Sequence, residues 1–279
     1  MYNIFNMVRT MEGIEEIVHI IPLGHEVDRA VKPFERLKAN RVHLLTIVEG
    51  KKSKIKYSRE MENKQKYFLG VVKKKLGEKD IEVECTNVDM FDILEVMKKV
   101  SKIIQKEKLE NNIVYVNISG AGKLASVGAT LAAMAHGARV YYVVADRYSK
   151  SEEQELQHGL SICEKLNIMF LENFQLQLPD ENSLKVLVSL CEKEKGMKTK
   201  EILDILRESG AEGFEKDYAK LIGEEKRRTH QKYLIKLNKG ILDKLEKRGY
   251  IIREKLGRYN TIKITESGKY VAHISGLLK

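Results

Sequence analysis

Hydrophobic and polar positions along the first 178 residues form blocks typical of strands and helices in turn. Five runs rich in β-branched and aromatic residues predict strands, at residues 16–22, 41–48, 81–85, 113–118 and 138–145. Four amphipathic runs predict the helices between them, at residues 24–38, 58–76, 90–109 and 123–136. Residues 168–171 predict a last strand, whereas the charged segment 150–158 is expected to be a surface loop or arm. Regular alternation predicts the α/β class, with a Rossmann-like, doubly wound and mostly parallel sheet.

From Pro179 onward the pattern changes to short amphipathic helices followed by a hairpin. The helices are predicted at residues 183–192, 198–206, with Thr199 as N-cap, and 224–248, where Gly249 ends the last of them. Strands at 250–255 and 260–264 with a tight turn between them predict the hairpin, and residues 266–275 predict a closing helix. Three helices and a hairpin are typical of a winged helix-turn-helix. We therefore expect a sensing domain over 1–178 and a DNA-binding domain over 179–279.

The amino-acid composition limits the classes of protein to which this chain can belong. Hydrophobic residues make up 43% of the 279, which is enough for two folded cores. The three cysteines (Cys85, Cys163 and Cys191) lack any metal-binding or redox spacing, so we expect reduced thiols and no metal site. No apolar run approaches the roughly 18 residues that span a bilayer, and no signal peptide is evident at the N-terminus. The sequence predicts a cytoplasmic protein that does not associate with membranes.

Positive charge is concentrated in the second half of the chain. The formal net charge is +10, and residues 226–263 alone contain thirteen basic residues against three acidic ones. This basic window covers the third predicted helix and the hairpin, which are the two elements that a winged helix lays on a duplex. The sequence therefore predicts double-stranded DNA as a partner, although a merely solvated charged face is the alternative. The candidate DNA contacts are Arg227, Arg228, Thr229, Gln231, Lys232, Lys236, Lys239 and Arg258.

A glycine-rich turn at residues 119–122 joins the fourth strand to its helix. Backbone N–H groups at the helix N-terminus, together with Lys123, form the elements of an anion site. A triphosphate-binding P-loop is excluded, because it needs glycine at position 117 and a hydroxyl residue at 124. The segment Gly120–Ala125 satisfies the dinucleotide pattern GxGxxA, with Asp146 about 20 residues further on. A dinucleotide site and a turn that binds nothing both remain open.

Two segments resemble the ligand motifs of CARF domains (CRISPR-associated Rossmann fold). These are Gly24-His-Glu-Val-Asp-Arg29, after the first strand, and Asn117-Ile-Ser-Gly-Ala-Gly-Lys123, after the fourth. With the winged helix, the whole chain resembles archaeal CARF–winged-helix transcriptional regulators. The second motif departs from the usual family pattern, which has two glycines and a threonine before the lysine, whereas Ala121 and Gly122 stand here.

The resemblance implies a homodimer that binds a cyclic oligoadenylate in a cleft across its two-fold axis. The ligand-binding residues that it implies are Gly24, His25, Asp28, Arg29, Asn117, Ser119, Gly120, Ala121, Gly122 and Lys123. Asp28 and Arg29 fit equally well as a salt-bridged pair within a helix. No cofactor and no metal are implied.

The functional hypothesis is a ligand-responsive, DNA-binding transcriptional regulator. The alternative from another class is a ring nuclease that cleaves its cyclic oligoadenylate, in which Ser119 and Lys123 would orient a ribose 2′-hydroxyl and stabilise the developing phosphorane. The motifs contain no pair of histidines or carboxylates to act as a general base, which disfavours this alternative. A regulator that binds a dinucleotide is the third hypothesis.

Overall fold

The computed structural model describes residues 15–47, 58–193, 195–215, 221–256 and 259–279. The chain divides into two compact units, Met1–Leu176 and Gln177–Lys279, each with its own hydrophobic core.

A six-stranded sheet forms the centre of the first unit. Its strands are β1 (Ile17–Pro22), β2 (Arg41–Thr46), β3 (Glu82–Asn87), β4 (Ile113–Asn117), β5 (Arg139–Val144) and β8 (Asn167–Leu171). They lie in the order β3-β2-β1-β4-β5-β8, and neighbours are parallel except for β8, which is antiparallel to β5. The Rossmann-like, mostly parallel sheet predicted from the sequence is therefore confirmed, and β3 lies at one edge. The chain moves outward from β1 to β3 and then returns to place β4 on the other side of β1.

Helices connect the strands and cover the sheet. They are α1 (Asp28–Val31), α2 (Arg59–Gly77), α3 (Ile93–Leu109) and α4 (Lys123–Ala135). Ser58 caps α2 by accepting the Met61 N–H at 3.2 Å, and Asp92 caps α3 in the same way. Helices α3 and α4 pack closely because Gly128 leaves its neighbours room: a Cβ there would lie 3.1 Å from the Ile93 carbonyl oxygen.

One prediction for this unit was wrong, and another missed a helix. The helix predicted over 24–38 is only the single turn α1 followed by a 3₁₀ turn at Lys32–Glu35. The N–H groups of Gly24 and Val27 donate to the carbonyls of other loops instead of to a helix, and Pro33 lacks the N–H that a longer helix needs. The segment expected to be a surface loop or arm has no buried residue in its helix, but that helix, α5 (Glu152–His158), between β6 (Arg147–Tyr148) and β7 (Ser161–Ile162), was not predicted. Ser151 caps α5 by accepting the Gln154 N–H at 3.3 Å, a helix-start signal that the charge pattern obscured.

The second unit is a winged helix. Its elements are α6 (Glu181–Lys193), β9 (Met197–Lys198), α7 (Thr199–Glu208), α8 (Gly223–Ile235), a π-helical segment (Lys236–Leu242), α9 (Asp243–Lys247), β10 (Ile251–Leu256), β11 (Tyr259–Ile264) and α10 (Glu266–Ile274). Strand β11 pairs antiparallel with both β10 and the short β9, which the sequence did not predict. The predicted N-cap Thr199 is the first helical residue instead; Lys198 is the cap, and its N–H donates to Glu201 at 2.8 Å.

The long third helix occurs as predicted, running from α8 through the π-helical segment into α9. Its apolar positions Leu237, Ile241 and Leu245 are buried in the core of the unit, beside Phe214. Gly249, at a φ of +73°, ends the helix as predicted. The π-helical segment lies where the helix enters the core, whereas only Tyr233 of α8 is buried. Most side chains of α8 therefore do not pack in the core of the unit.

Candidate functional site

Two glycine-containing loops meet at the end of the sheet where β1 and β4 finish. The Gly24 N–H, after β1, donates to the Gly120 carbonyl, after β4, at 2.5 Å. A Cβ at Gly24 would lie 2.9 Å from that carbonyl oxygen, and a Cβ at Gly120 would lie 3.1 Å from the Pro22 carbonyl oxygen. The two loops can approach this closely only because both positions lack a side chain.

These loops lie at the topological switch point of the sheet. Strands β1 and β4 are adjacent, while their connections lead to opposite sides of the sheet. Open α/β sheets bind ligands in the crevice that this arrangement leaves outside the carboxyl ends of the strands. Gly122 is the N-cap of the thirteen-residue helix α4 and offers no side-chain cap, and no acidic residue follows in the first turn. The positive end of the α4 dipole and the exposed Lys123 therefore point toward this crevice without a neutralising carboxylate.

The crevice contains a cavity of about 390 Å³, large enough for part of a nucleotide-sized ligand. Most of its wall is apolar, and its polar lining comes from few side chains. The described residues that line it are Leu23, Gly24, His25, Ile47, Met61, Gln65, Met90, Phe91, Gly122, Lys123, Leu124 and Leu160. An apolar wall with a few polar groups and a lysine at its rim is suited to a flat heterocycle that carries phosphate.

His25 forms one wall of the cavity. Its ring stacks on Phe68, with 5.3 Å between the ring centroids and an angle of 27° between the planes. Burial lowers the pKa of His25, opposed in part by the nearby Glu155 carboxylate. The ring is therefore a neutral imidazole near pH 7, and because one nitrogen is engaged in a hydrogen bond to the Met61 backbone, the other is left for a hydrogen bond at a base edge.

Asn117 and Ser119 are buried under the glycine turn and do not line the cavity. The Asn117 amide donates to the Arg29 carbonyl at 2.8 Å, and its oxygen accepts the Ser119 N–H at 2.9 Å. The Ser119 hydroxyl oxygen accepts the Val143 N–H at 2.6 Å. These side chains fix the conformation of the turn, and the ring-nuclease role predicted for Ser119 has no geometric support because its hydroxyl is buried against β5.

Asp28 and Arg29 are also buried, and each is paired with other parts of the fold. Asp28 accepts the Cys163 N–H at 3.0 Å and is 2.9 Å from Lys32 Nζ and 3.1 Å from the His158 ring. Arg29 donates to the Ser119 carbonyl at 3.3 Å and to the Tyr142 hydroxyl at 2.9 Å. Each residue thus has an ion-pair partner, Lys32 for Asp28 and Glu26, at 3.4 Å, for Arg29, but the two do not pair with each other as the salt-bridge alternative supposed.

Sequence reasoning missed the contribution of the β6-α5-β7 arm and of α2. The buried carboxylate of Glu26 accepts hydrogen bonds from the Ser161 hydroxyl, at 2.6 Å, and from its N–H, at 3.1 Å; burial raises the pKa of Glu26. Gly159, at a φ of +81°, lies so close to the loop after β1 that a Cβ would be 2.5 Å from the Val27 nitrogen. This packing places Leu160 in the cavity wall. Neither this residue nor Gln65 carries a motif by which the sequence could identify it.

The acidic residue of the dinucleotide pattern is engaged elsewhere. Asp146 accepts the backbone N–H groups of Glu164 and Lys165, at 2.6 and 3.0 Å, which hold its pKa below the usual range. The Asp146 carboxylate thus stabilises a loop that follows β5. Because its hydrogen bonds are made to that loop, they do not favour a role in binding a ribose.

In the winged helix, the candidate DNA contacts lie mainly on α8. Arg227, Arg228, Gln231 and Lys232 are exposed, and Thr229 is half-buried. Arg228 is 2.6 Å from Glu224, but both side chains are strongly exposed, so water and salt screen this pair.

Further along the same helix, Lys239 and Lys236 are both exposed, but the ammonium group of Lys236 contacts its own unit. Lys236 Nζ donates to the Glu212 carbonyl at 3.3 Å and lies 5.4 Å from the centre of the Phe214 ring. Arg258 lies outside the described residues. On the hairpin, Arg253 is 3.4 Å from Glu246 and also pairs with Asp243, so the positive charge of this unit remains most available along α8.

Known families match each unit separately. Residues 17–148 match the family model described as HFX_2341_N:-like, N-terminal, and residues 182–276 match the DUF6293 C-terminal winged helix domain. A curated relative, the uncharacterized protein MJ1513 of Methanocaldococcus jannaschii, is 29% identical over 162 residues, which are 54% of this chain and 46% of the relative. The alignment thus spans about half the length of each protein.

Several solved structures are similar over most of the chain, at low identity. Can2 from Sulfobacillus thermosulfidooxidans, in complex with cyclic tetra-adenylate, has a TM-score of 0.39 and 13% identity over 93% of this chain and 62% of its own. Protein VC1899 from Vibrio cholerae has a TM-score of 0.41 and 10% identity, over 92% of this chain and 64% of its own. Csm6 from Enterococcus italicus, bound to cyclic hexa-2′-fluoro-hexa-dAMP, has a TM-score of 0.37 and 11% identity, over 85% and 55%. At these scores the likeness carries no conclusion about ligand or activity.

The predicted architecture, a Rossmann-like α/β domain followed by a winged helix domain, is confirmed by the sheet order and the family match of the second unit. Within the described ranges, no helix is long and apolar enough to cross a bilayer, and no group of three or more His, Cys, Asp or Glu side chains is arranged to hold a metal ion.

Proposed function

We propose that this chain is a ligand-responsive DNA-binding regulator, in which a cyclic oligoadenylate-type nucleotide binds the first unit and alters the DNA affinity of the winged helix. The observation that carries the proposal is the cavity at the switch point, where the loops after β1 and β4 meet beside the N-terminus of α4 and Lys123. An α/β sheet places anionic ligands at this point, and the same chain carries a basic winged helix.

The proposal gives the predicted site residues two kinds of role. Gly24, Gly120 and Gly122 bring backbone close to the ligand, with Ala121 in the same turn, and Lys123 binds phosphate at the rim. His25 contacts the base against the apolar wall. The remaining predicted residues (Asp28, Arg29, Asn117 and Ser119) hold the two loops in position by the buried hydrogen bonds described above.

On the DNA side, the cations of α8 contact phosphates and its polar side chains face base edges. Only one of its thirteen residues is buried, so the helix has the exposed surface that insertion into a major groove requires. We further propose a homodimer, which would present two such helices to half-sites about one helical turn, roughly 34 Å, apart. Coupling between ligand and DNA sites is typically about 1–3 kcal/mol, so we expect a shift of about 5- to 150-fold in operator affinity.

Two measurements test the proposal. Freshly purified protein is denatured and any released nucleotide is identified by mass spectrometry. Operator affinity is then measured with and without cyclic tri-, tetra- and hexa-adenylate. Identical DNA affinities under all these conditions would contradict ligand-controlled regulation.

Two variants test whether the nucleotide binds in the cavity. Lys123→Ala should weaken nucleotide binding at least tenfold, because a charge-assisted phosphate contact is worth about 1.5–3 kcal/mol. The matched control is Lys73→Ala, which removes an exposed lysine on α2 that does not line the cavity. Equal losses in the two variants would mean that only the net charge of the unit attracts the nucleotide.

A further inference from the structure

The exposed face of α8 contains an isoleucine among basic and polar residues. Ile235 is 59% exposed, at the last position of the helix, whereas Tyr233 is buried. Gln231 and Lys232 precede Ile235 by four and three residues, so all three side chains lie on neighbouring parts of one helical face. Lys239 follows one turn later and is exposed. This face thus combines cations, one amide and one β-branched apolar side chain.

The major groove of DNA contains partners for these two uncharged side chains. The thymine C5-methyl group is the apolar feature of that groove, and adenine presents the N7 acceptor and the N6 amino donor that a glutamine binds through both ends of its amide. Gln231 and Ile235 are four residues apart, which is about 6 Å along the helix and close to the roughly 6.8 Å that separates base pairs two steps apart. The pair therefore has the chemistry and the spacing to read two A·T pairs of one short site.

We infer that Gln231 and Ile235 determine the DNA sequence preference of this protein, with Gln231 binding an adenine and Ile235 contacting the methyl group of a nearby thymine. The inference rests on the proposed DNA binding and deepens it by naming the base pairs that are read. The exposed cations around the pair, Arg228, Lys232 and Lys239, contact the flanking phosphates and set the position of the helix.

A second copy of this chain is a poorer occupant of the same face. Packing two such faces together around Ile235 would bring the lysines and arginines of both copies into proximity, and like charges in a desolvated contact oppose association. DNA is a polyanion and neutralises these cations, and a thymine methyl group in its major groove provides an apolar contact for Ile235. Charge complementarity therefore selects DNA as the partner of this surface.

The experiment begins with the full-length protein and a random pool of double-stranded oligonucleotides, from which preferred sites are selected. Each thymine of the selected site is then replaced by deoxyuridine, which removes only the C5-methyl group. We expect an affinity loss of about fourfold at one or more positions, corresponding to about 0.8 kcal/mol for one buried methyl group. Ile235→Ala should bind the thymine site more weakly and should no longer distinguish thymine from deoxyuridine there.

The role of Gln231 is tested by replacing single adenines with 7-deazaadenine, which lacks the N7 acceptor. The wild-type protein should lose affinity at one position, and Gln231→Ala should be indifferent to the replacement there. The control variant is Leu277→Ala, which removes another exposed apolar side chain of this unit away from α8 and should keep the wild-type response to both modified bases.

The failures are distinguishable. A protein that binds no DNA, even at low salt, would overturn the proposed function and this inference together. A protein that binds DNA without sequence preference, or that responds to neither modified base, would overturn the inference alone. An Ile235→Ala variant that kept the full response to deoxyuridine would also overturn it.

Discussion

The buried histidine of β1 makes the first unit sensitive to acid. The His19 ring is fully buried and stacks on Tyr115, with 4.9 Å between the ring centroids. The Lys38 carbonyl, 3.0 Å from Nε2, can only accept, so Nε2 carries the proton. Nδ1 must then accept from the Tyr141 hydroxyl, at 3.1 Å. Both ring nitrogens are satisfied in the neutral form, and protonation would require the Tyr141 hydroxyl to reverse its role.

The shift in the pKa of His19 gives the size of the expected loss of stability in acid. Burial lowers the pKa of His19 from 6.5 to about 4, and the Lys38 carbonyl opposes this shift only in part. Because the folded pKa is lower than the unfolded one, the contribution of His19 to stability is fully present above pH 6.5. It is lost as the pH falls from 6.5 to about 4, by up to about 1.4 kcal/mol per pH unit and about 3 kcal/mol in all.

Two assays test this prediction. In an NMR titration, the His19 ring resonances should show no protonation step above pH 5. The free energy of unfolding of the first unit is measured by hydrogen exchange on peptides from β1 and β5, between pH 4 and 7.5. His19→Gln should be destabilised at pH 7 by about 1–3 kcal/mol, because it leaves buried partners imperfectly paired, but it should lack the additional slope below pH 6.5.

The difference between wild type and variant isolates His19 from other groups. Glu26 has a raised pKa in the folded state, so its contribution has the opposite sign, but it is present in both proteins. His230→Gln, in the second unit, is the matched control and should retain the wild-type slope on the β1 and β5 peptides. A titration midpoint near 6.5 for His19, or equal slopes in wild type and His19→Gln, would refute the reasoning.

Three other substitutions test the site and the DNA face. Gly24→Ala should abolish detectable nucleotide binding in calorimetry, because its Cβ would lie 2.9 Å from the Gly120 carbonyl oxygen. Gly70→Ala, on the exposed face of α2 where a Cβ meets no atom within 4 Å, should bind almost normally; equal effects would argue against close loop contact. Gly159→Ala should destabilise the first unit by more than about 1 kcal/mol in urea unfolding, because alanine disfavours this φ and its Cβ would meet the backbone of Val27. In DNA binding, Lys232→Ala should lower the slope of log K against log salt concentration by about 0.9. Lys236→Ala should lower it by less, because the Lys236 ammonium already contacts the Glu212 carbonyl and the Phe214 ring. An unchanged slope for Lys232→Ala would indicate a merely solvated face.

The sequence by itself determined the fold class, the order of the main elements and the division of the chain into an α/β half and a winged helix half. Strands of the first unit are recognisable because burial requires continuous apolar, β-branched runs, and the sheet order then follows the usual rules for parallel connections. The long helix of the winged unit was recognisable from Leu237, Ile241 and Leu245, since core burial of one face imposes helical spacing. The glycine turn was correctly located because its residues depart from both patterns.

Only the tertiary structure decided which motif residues face the cavity. Asp28 and Ser119 belong to a motif by sequence, yet their side chains are buried in hydrogen bonds to β5 and to the β6-α5-β7 arm. Gln65 and Leu160 carry no motif, yet they line the cavity because α2 and the arm pack beside the loop after β1. Spacing along the chain encodes which face of an element is buried, whereas the direction of a side chain at a loop depends on partners more than a hundred residues away, as with Asp28 and His158.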